Sequence, residues 1–209
     1  MSVKERTATR SPNFPRFYQF EPRDSDICAE CPAKLGTGEW SNVPSRCLGA
    51  PVHTNWKADG GRIDIVYICE SPSNKETSHD LPSVGATGRG VYKALFGNVV
   101  AGWLDILDDR VYRTNIVRCQ ADAGLQKRTD NTTKNRRVRA AFTFCQRHLR
   151  EELAKVFSKC IRDGVDRMKV VIAVGDGFPA QVQTVKNLVA EIKPAELEVT
   201  VLESHHPSA

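Results

Sequence analysis

Residues 63–76 read Ile63-Asp-Ile-Val-Tyr-Ile-Cys-Glu-Ser-Pro-Ser-Asn-Lys-Glu76, an apolar run that changes abruptly into polar, loop-forming sequence. The apolar half is short and rich in β-branched residues, which is typical of a buried strand. Similar runs predict three more strands, at 111–119, 169–175 and 197–203. Helices are predicted between the strands at about 88–97, 135–163 and 178–191. This alternation favours an α/β fold with three α/β/α layers, in which helices cover a central four-stranded parallel sheet.

The composition is that of a globular protein. With 209 residues, of which 40% are hydrophobic, the chain is long enough to bury a core. We predict that residues 1–24 form a loose N-terminal arm and that residues 25–209 form a single domain. The first part of this domain, 25–61, is predicted to be an irregular cysteine-bearing N-terminal lobe. Because no apolar run has membrane-spanning length and the first residues do not form a secretory signal, we expect a cytoplasmic protein that does not enter membranes. We also expect it to be a monomer.

Four of the seven cysteines form two separated pairs. Cys28 and Cys31 occur as Cys-Ala-Glu-Cys, whereas Cys119 and Cys145 lie far downstream. In a chain without an export signal this pattern indicates a metal or iron–sulfur site rather than disulfides. A zinc site that leaves the downstream pair unexplained is the alternative, and its ligands would be Cys28, Cys31, Cys47 and His53.

Three of the four predicted strands end in polar sequence. Glu70 and Ser71 follow the first strand, Asn115 lies in the second, and His206 follows the fourth. Because the carboxyl ends of parallel strands meet at one edge of a sheet, a carboxylate, an amide and an imidazole are predicted to share one crevice.

The order and spacing of these motifs resemble the uracil-DNA glycosylase superfamily, most closely its iron–sulfur family 4. The family's Gly-Glu-x-Pro-Gly motif and the glutamate after it correspond to 69–73 and Glu76, and its Pro-Phe-Val-Gly motif corresponds to 82–85. Its Thr-Asn-Val-Val-Lys-Cys motif corresponds to 114–119 and its closing His-Pro-Ser to 206–208. The resemblance extends to the C-terminus and implies a [4Fe–4S] cluster on four ligands, namely Cys28, Cys31, Cys119 and Cys145.

The resemblance implies a monofunctional DNA glycosylase, which flips a base out of DNA and hydrolyses its N-glycosidic bond. Asn115 would read a pyrimidine edge, and His206 would donate to the base O2 as negative charge builds there. Glu76 would orient water or offset the positive charge on the sugar. The remaining base-binding residues would be Glu70, Ser71 and Ser83.

A basic stretch between Cys119 and Cys145 predicts DNA as the partner, because clustered cations bind backbone phosphates. Its basic residues are Lys127, Arg128, Lys134, Arg136, Arg137 and Arg139. A solvated helix start is the alternative interpretation of this stretch.

Two departures from the family pattern bear on the substrate. Ser83 stands where the family has the phenylalanine that stacks on the flipped base, and Cys69 replaces a glycine. Loss of the aromatic ring removes about 1–3 kcal/mol of stacking and opens space in the pocket. We therefore expect a larger base, such as a C5-modified pyrimidine, with defence against phages as the setting. The alternatives are an ordinary uracil-DNA glycosylase of base-excision repair and a non-catalytic iron–sulfur DNA-binding module.

Overall fold

The structure is a computed structural model that describes residues 29–41, 62–79, 83, 86–103, 110–122, 125 and 131–205. Within these residues the strands are β1 (Ile65–Cys69), β2 (Val111–Asn115), β3 (Arg167–Ile172) and β4 (Glu198–Glu203). The helices are α1 (Pro32–Leu35), α2 (Asn74–His79), α3 (Ala86–Phe96), α4 (Asn131–Arg162) and α5 (Pro179–Ile192). The predicted N-terminal arm lies outside the described residues.

All neighbouring strands are parallel, and their order is β2-β1-β3-β4. The chain runs from β1 to β2 on one side and then returns across β1 to add β3 and β4 on the other. The direction of winding therefore reverses between β1 and β3. In open α/β sheets ligands bind at the carboxyl ends of the strands where this reversal occurs. The predicted α/β fold with a four-stranded parallel sheet is confirmed.

The central strand β1 divides the core into two parts. Val66 and Ile68 belong to the larger part, which includes α4 and α5, whereas Tyr67 and Cys69 belong to the part that α3 covers. All five residues of β1 are buried. A strand with helices on both faces has no solvent-facing side, so its sequence is continuously apolar.

A buried carboxylate fixes α4 against β2. The Tyr112 hydroxyl donates to Glu152 Oε1 at 2.7 Å, and the Arg118 guanidinium pairs with the other oxygen. Removing one partner of such a buried pair costs about 3–5 kcal/mol, because the remaining charge is left uncompensated. These bonds hold the segment that bears Cys119 against the helix that bears Cys145.

The described part of the N-terminal lobe, residues 29–41, is more ordered than the sequence predicted. It contains α1 and a 3-10 turn, Gly38–Trp40, and both pack against α4. The Trp40 side chain is fully buried. Among the described residues, none of the helices has the length and apolar character needed to cross a bilayer.

Candidate functional site

The ends of three strands meet at the point where the winding reverses. Asn115, the last residue of β2, pairs in register with Cys69 of β1. Backbone pairing continues beyond the strands, because the Val117 N–H donates to the Glu70 carbonyl at 3.0 Å. On the other side, Gly175 after β3 lies so close to Glu70 that a Cβ there would be 3.7 Å from Glu70 Oε2. The structure thus brings Glu70 and Asn115, two of the predicted site residues, to adjacent strand ends.

Glu70 faces α4 and is paired with a lysine. Its Oε1 lies 2.6 Å from Lys134 Nζ, and the two side chains are 7% and 30% exposed. The Ser71 hydroxyl is 3.5 Å from the same carboxylate oxygen. A carboxylate this buried needs a compensating charge, which Lys134 supplies. Lys134, which was predicted to bind phosphate, therefore lies at the crevice and contacts a predicted base-binding residue.

Glu76, on the opposite face of the sheet, accepts hydrogen bonds from backbone N–H groups. Its Oε2 accepts the Ser73 N–H at 2.8 Å, and the Ser73 hydroxyl accepts the Glu76 N–H at 3.4 Å. This reciprocal pair is a capping box at the start of α2. The other oxygen, Oε1, accepts the Ser83 N–H at 2.5 Å. The carboxylate, only 3% exposed, therefore joins α2 to the loop that precedes α3. If Glu76 also acts in catalysis, it has to do so through the carboxylate lone pairs that do not accept these N–H groups.

Sequence reasoning missed both α2 and this bonding role of Glu76. The signal was present as Ser73-Asn-Lys-Glu76, since Ser-x-x-Glu is the sequence pattern of a capping box. No sequence signal pointed to the pairing of Lys134 with Glu70, because the two residues lie 64 positions apart.

Ser83 is buried and has a left-handed backbone with φ of 55°. Its carbonyl lies against α3, where a Cβ at Gly88 would be 1.6 Å from the Ser83 oxygen, so only glycine fits at residue 88. The Ser83 side chain lies close enough to the thiol of Cys69 to lower the pKa of that thiol. The two residues that depart from the family pattern are therefore neighbours.

Cys69 is a buried thiol and not a nucleophile. Burial raises its pKa to about 12, and the nearby Glu76 carboxylate adds to the rise. The side chain of Ser83 and the positive charge of Arg113 act in the opposite direction without cancelling it. Since the thiolate is the reactive form, Cys69 is unreactive at neutral pH.

Asn115 differs from both glutamates because its amide is not used to hold the fold. The residue is 6% exposed, and within the described part of the chain its side chain has no hydrogen-bond partner. In a parallel sheet, residues paired in register point to the same face, so the Asn115 and Cys69 side chains share the α3 face. A shielded amide that keeps both its donor and its acceptor is suited to reading a base edge.

The end of β4 also reaches this edge of the sheet. Burial raises the pKa of Tyr67 of β1 to about 12, and the nearby Cys69 adds to the rise. Ser204, which follows β4, lies close enough to Tyr67 to oppose this rise. His205 is exposed, and its Nδ1 lies 3.8 Å from Asp176 Oδ1. The predicted catalytic residue His206 lies outside the described residues.

The predicted DNA-binding set needs correction at Arg137. This side chain is only 4% exposed and donates to backbone carbonyls inside the protein, so it does not belong to an exposed basic surface. Arg136 and Arg139 are exposed, although Arg136 lies 3.1 Å from a Glu39 carboxylate oxygen and Arg139 donates to the Gly177 carbonyl at 2.8 Å. Lys127 and Arg128 lie outside the described residues.

Three of the four predicted cluster ligands are described. Cys31, Cys119 and Cys145 are all buried in the larger part of the core, and they lie on three segments that pack together. Buried thiols suit an iron–sulfur cluster or zinc, which prefer soft ligands shielded from water. No group of three or more His, Cys, Asp or Glu side chains in the described ranges is arranged to hold a metal ion. Cys31, Cys119 and Cys145 are therefore not grouped as a metal site within the described ranges, and Cys28, Cys47 and His53 lie outside those ranges.

Comparison with protein-family models gives no match, and comparison with curated proteins gives none either. The resemblance to the uracil-DNA glycosylase superfamily therefore rests on the sequence motifs alone.

Proposed function

We propose that the protein is a DNA glycosylase that extrudes a pyrimidine and hydrolyses its N-glycosidic bond. The observation that carries this proposal is the position of Asn115. Its amide forms no structural hydrogen bond within the described residues, and it lies at the strand end next to Cys69 and the Glu76-bound loop. Glu70 adds a second buried carboxylate at the same edge, where ligands of such sheets bind.

The proposed reaction divides charge between the sugar and the base. As the bond breaks, the sugar becomes oxocarbenium-like and the departing base becomes negative. Asn115 would hold the base edge, and His206 would donate to the base O2 as negative charge grows there. A water molecule adds to the sugar carbon, so that the products are the free base and an abasic site. The carboxylates would offset the positive sugar and orient this water.

The pair formed by Cys69 and Ser83 supports a substrate other than plain uracil. Ser83 lies close to the thiol of Cys69, and it stands where the family has an aromatic ring. A small side chain there leaves the face of the flipped base without its stacking partner and leaves room for a substituent. We therefore propose a C5-modified pyrimidine, released in defence against phages that carry such bases, with uracil in base-excision repair as the alternative.

We also propose that Cys28, Cys31, Cys119 and Cys145 hold a [4Fe–4S] cluster, with zinc as the alternative. The burial of the three described thiols supports this ligand set. When bound, the group would connect the N-terminal lobe to the segment after Asn115. It takes no part in the proposed hydrolysis, which the residues at the sheet edge carry out.

The deciding experiment is a base-release panel. Purified protein is incubated with matched duplexes and single strands that contain uracil, cytosine or a bulky C5-modified cytosine, and abasic sites are then counted. We expect release of the modified base, and we expect Asn115→Ala to reduce it by about 100-fold or more. Efficient release of uracil alone would establish the repair alternative, and no release of any base would overturn the glycosylase proposal.

A non-catalytic DNA-binding module is the second candidate. Both oxygens of Glu76 accept backbone N–H groups, and Glu70 is paired with Lys134, so each carboxylate already has a structural partner. This candidate predicts DNA binding without base release in the same panel. In either case the phosphate contacts would come from the basic residues Lys127, Arg128, Lys134, Arg136 and Arg139, and affinity should fall steeply as salt rises.

A further inference from the structure

One carboxylate oxygen of Glu70 is not used to hold the fold. The other oxygen, Oε1, lies 2.6 Å from Lys134 Nζ and 3.5 Å from the Ser71 hydroxyl. Oε2 accepts no hydrogen bond from the described residues, and it is not fully enclosed by them. A buried carboxylate oxygen without a donor is unfavourable. This oxygen therefore favours a ligand that brings a hydrogen-bond donor to it.

The end of β3 leaves space in front of this oxygen. A Cβ at Gly175 would lie 3.7 Å from Glu70 Oε2 and would meet no other described atom within 4 Å. Because residue 175 is a glycine, no side chain fills that space. The oxygen is thus approached across the ends of β1 and β3, where the winding reverses and where ligands of open α/β sheets bind.

The Asn115 amide lies on the other side of the same strand ends. Asn115 is the register partner of Cys69, the residue directly before Glu70. Paired strands are about 4.8 Å apart, so Asn115 and Glu70 occupy adjoining positions of the sheet edge. Asn115 shares the α3 face with Cys69, whereas Glu70 faces α4. A base that enters the crevice between them meets an amide on one side and a carboxylate on the other.

The two groups differ in how they discriminate at position 4 of a pyrimidine. Cytosine carries an amino group there, with two hydrogens to donate, whereas uracil carries a carbonyl oxygen that only accepts. The Asn115 amide has both a donor and an acceptor, so it can turn to pair with either base. An ionised carboxylate only accepts, so Glu70 Oε2 would bond the amino group and repel the carbonyl.

We propose that Glu70 is a specificity-determining residue, whose Oε2 accepts an N4 hydrogen of an extruded cytosine-type base while Lys134 balances the charge of the carboxylate. The inference rests on the proposed glycosylase function and narrows its substrate from C5-modified pyrimidines to C5-modified cytosines. It concerns position 4 of the base, whereas Ser83 concerns the face of the base and its C5 substituent. A specific polar contact of this kind discriminates between bases by about 10–100-fold.

The test compares bases that share a C5 substituent and differ only at position 4. Full-length protein, purified without oxygen, is given cytosine and uracil that both carry hydrogen, hydroxymethyl or a bulky group at C5. Each base stands in a single strand or opposite an abasic-site analogue, so that lost base pairing does not differ between them. We expect single-turnover release of the cytosine member of a pair to be about 10–100-fold faster.

Three variants assign this preference to the carboxylate. Glu70→Gln offers an N–H group as well as a carbonyl, so the preference should shrink towards equality or reverse. Glu70→Asp withdraws the oxygen by one methylene and should also weaken the preference, and it decides if Glu70→Gln does not fold. Glu191→Gln makes the same carboxylate-to-amide change in a surface pair with Arg150, and it should keep the wild-type preference.

Equal release of the two members of a pair, or faster release of the uracil member, would overturn the inference and leave the glycosylase proposal standing. A wild-type preference in Glu70→Gln with a lowered melting temperature would also overturn it, because the carboxylate would then have only a structural role. Release of no base at all would overturn the glycosylase proposal and this inference together.

Discussion

Two buried glutamates lie on opposite faces of the sheet just after β1, and they are held in different ways. Glu70 is paired with the flexible side chain of Lys134, which is partly exposed on α4. Glu76 is held by the backbone N–H groups of Ser73 and Ser83, which cannot move without moving α2 and the loop before α3. A lysine side chain can exchange its partner for a phosphate, whereas a backbone donor inside a cap cannot. The difference identifies Glu76 as part of the framework of the crevice and Glu70 as the carboxylate that is able to respond to a ligand.

Replacing Glu76 should have the largest effect. Glu76→Ala leaves the N–H groups of Ser73 and Ser83 without their acceptor, and each unsatisfied buried donor costs about 1–3 kcal/mol. We expect a loss of about 2–4 kcal/mol in the free energy of unfolding, measured by urea denaturation, together with loss of base release. Glu76→Gln retains one carbonyl acceptor and should lose about half as much. Wild-type stability in Glu76→Ala would show that the carboxylate is not part of the framework.

Replacing Asn115 should separate activity from stability. Its amide holds no other described group, so Asn115→Ala should change the free energy of unfolding by less than about 1 kcal/mol. Base release should nevertheless fall by about 100-fold or more, as when one preorganised hydrogen-bond donor is removed from an active site. The rate is measured under single-turnover conditions, with Thr200→Ala on β4 as a control away from the crevice. If stability and activity fall together, Asn115 is a framework residue like Glu76.

Ser83 lies in the Glu76-bound loop with its side chain near Cys69, so these two residues test how rigidly that loop is held. Ser83→Phe places a large side chain on a left-handed backbone, against the buried thiol of Cys69, and should destabilise the protein by about 1–3 kcal/mol. Cys69→Gly removes the side chain in contact and restores the family's pair of residues. We expect the double variant to be more stable than the sum of the single changes predicts, as measured by a double-mutant cycle.

The same double variant tests the substrate. With the aromatic ring restored and room made for it, release of a bulky modified base should fall while release of uracil is retained or rises. Additive stabilities and an unchanged base preference would mean that residues 69 and 83 do not determine the shape of the pocket.

The sequence predicted the elements of the fold more fully than the chemistry of the site. The apolar run of β1 and its alternation with helices were enough to predict the parallel sheet, because burial of both faces leaves a local pattern. It predicted the ends of the helices less well, since α4 begins at Asn131 and α2 was not predicted. The basic stretch led to a wrong prediction that Arg137 binds DNA, because the sequence shows that this residue is charged but not that it is buried. Partners such as Glu39 and Ala121 are brought to it only by the tertiary fold.

The smallest effect should come from breaking the pair between Glu70 and Lys134. Lys134→Met leaves the Glu70 carboxylate buried without its ammonium, but because Lys134 is partly exposed the cost should be about 1–2 kcal/mol. Glu70→Gln in the same background removes the uncompensated charge, so the double variant should recover part of this loss. Urea denaturation of the four proteins measures the coupling between the two side chains.

DNA binding distinguishes the two glutamates further. If Lys134 exchanges Glu70 for a phosphate when DNA binds, Lys134→Met should reduce the slope of log affinity against log salt by about one phosphate contact. Lys155→Met, in the C-terminal half of the same helix, is the matched control and should leave the slope unchanged. An unchanged slope in Lys134→Met would show that Lys134 stays with Glu70 when DNA is bound. Glu70 would then be held as firmly as Glu76, and both carboxylates would have structural roles. Asn115 would be the residue of the crevice that remains available to bind the base.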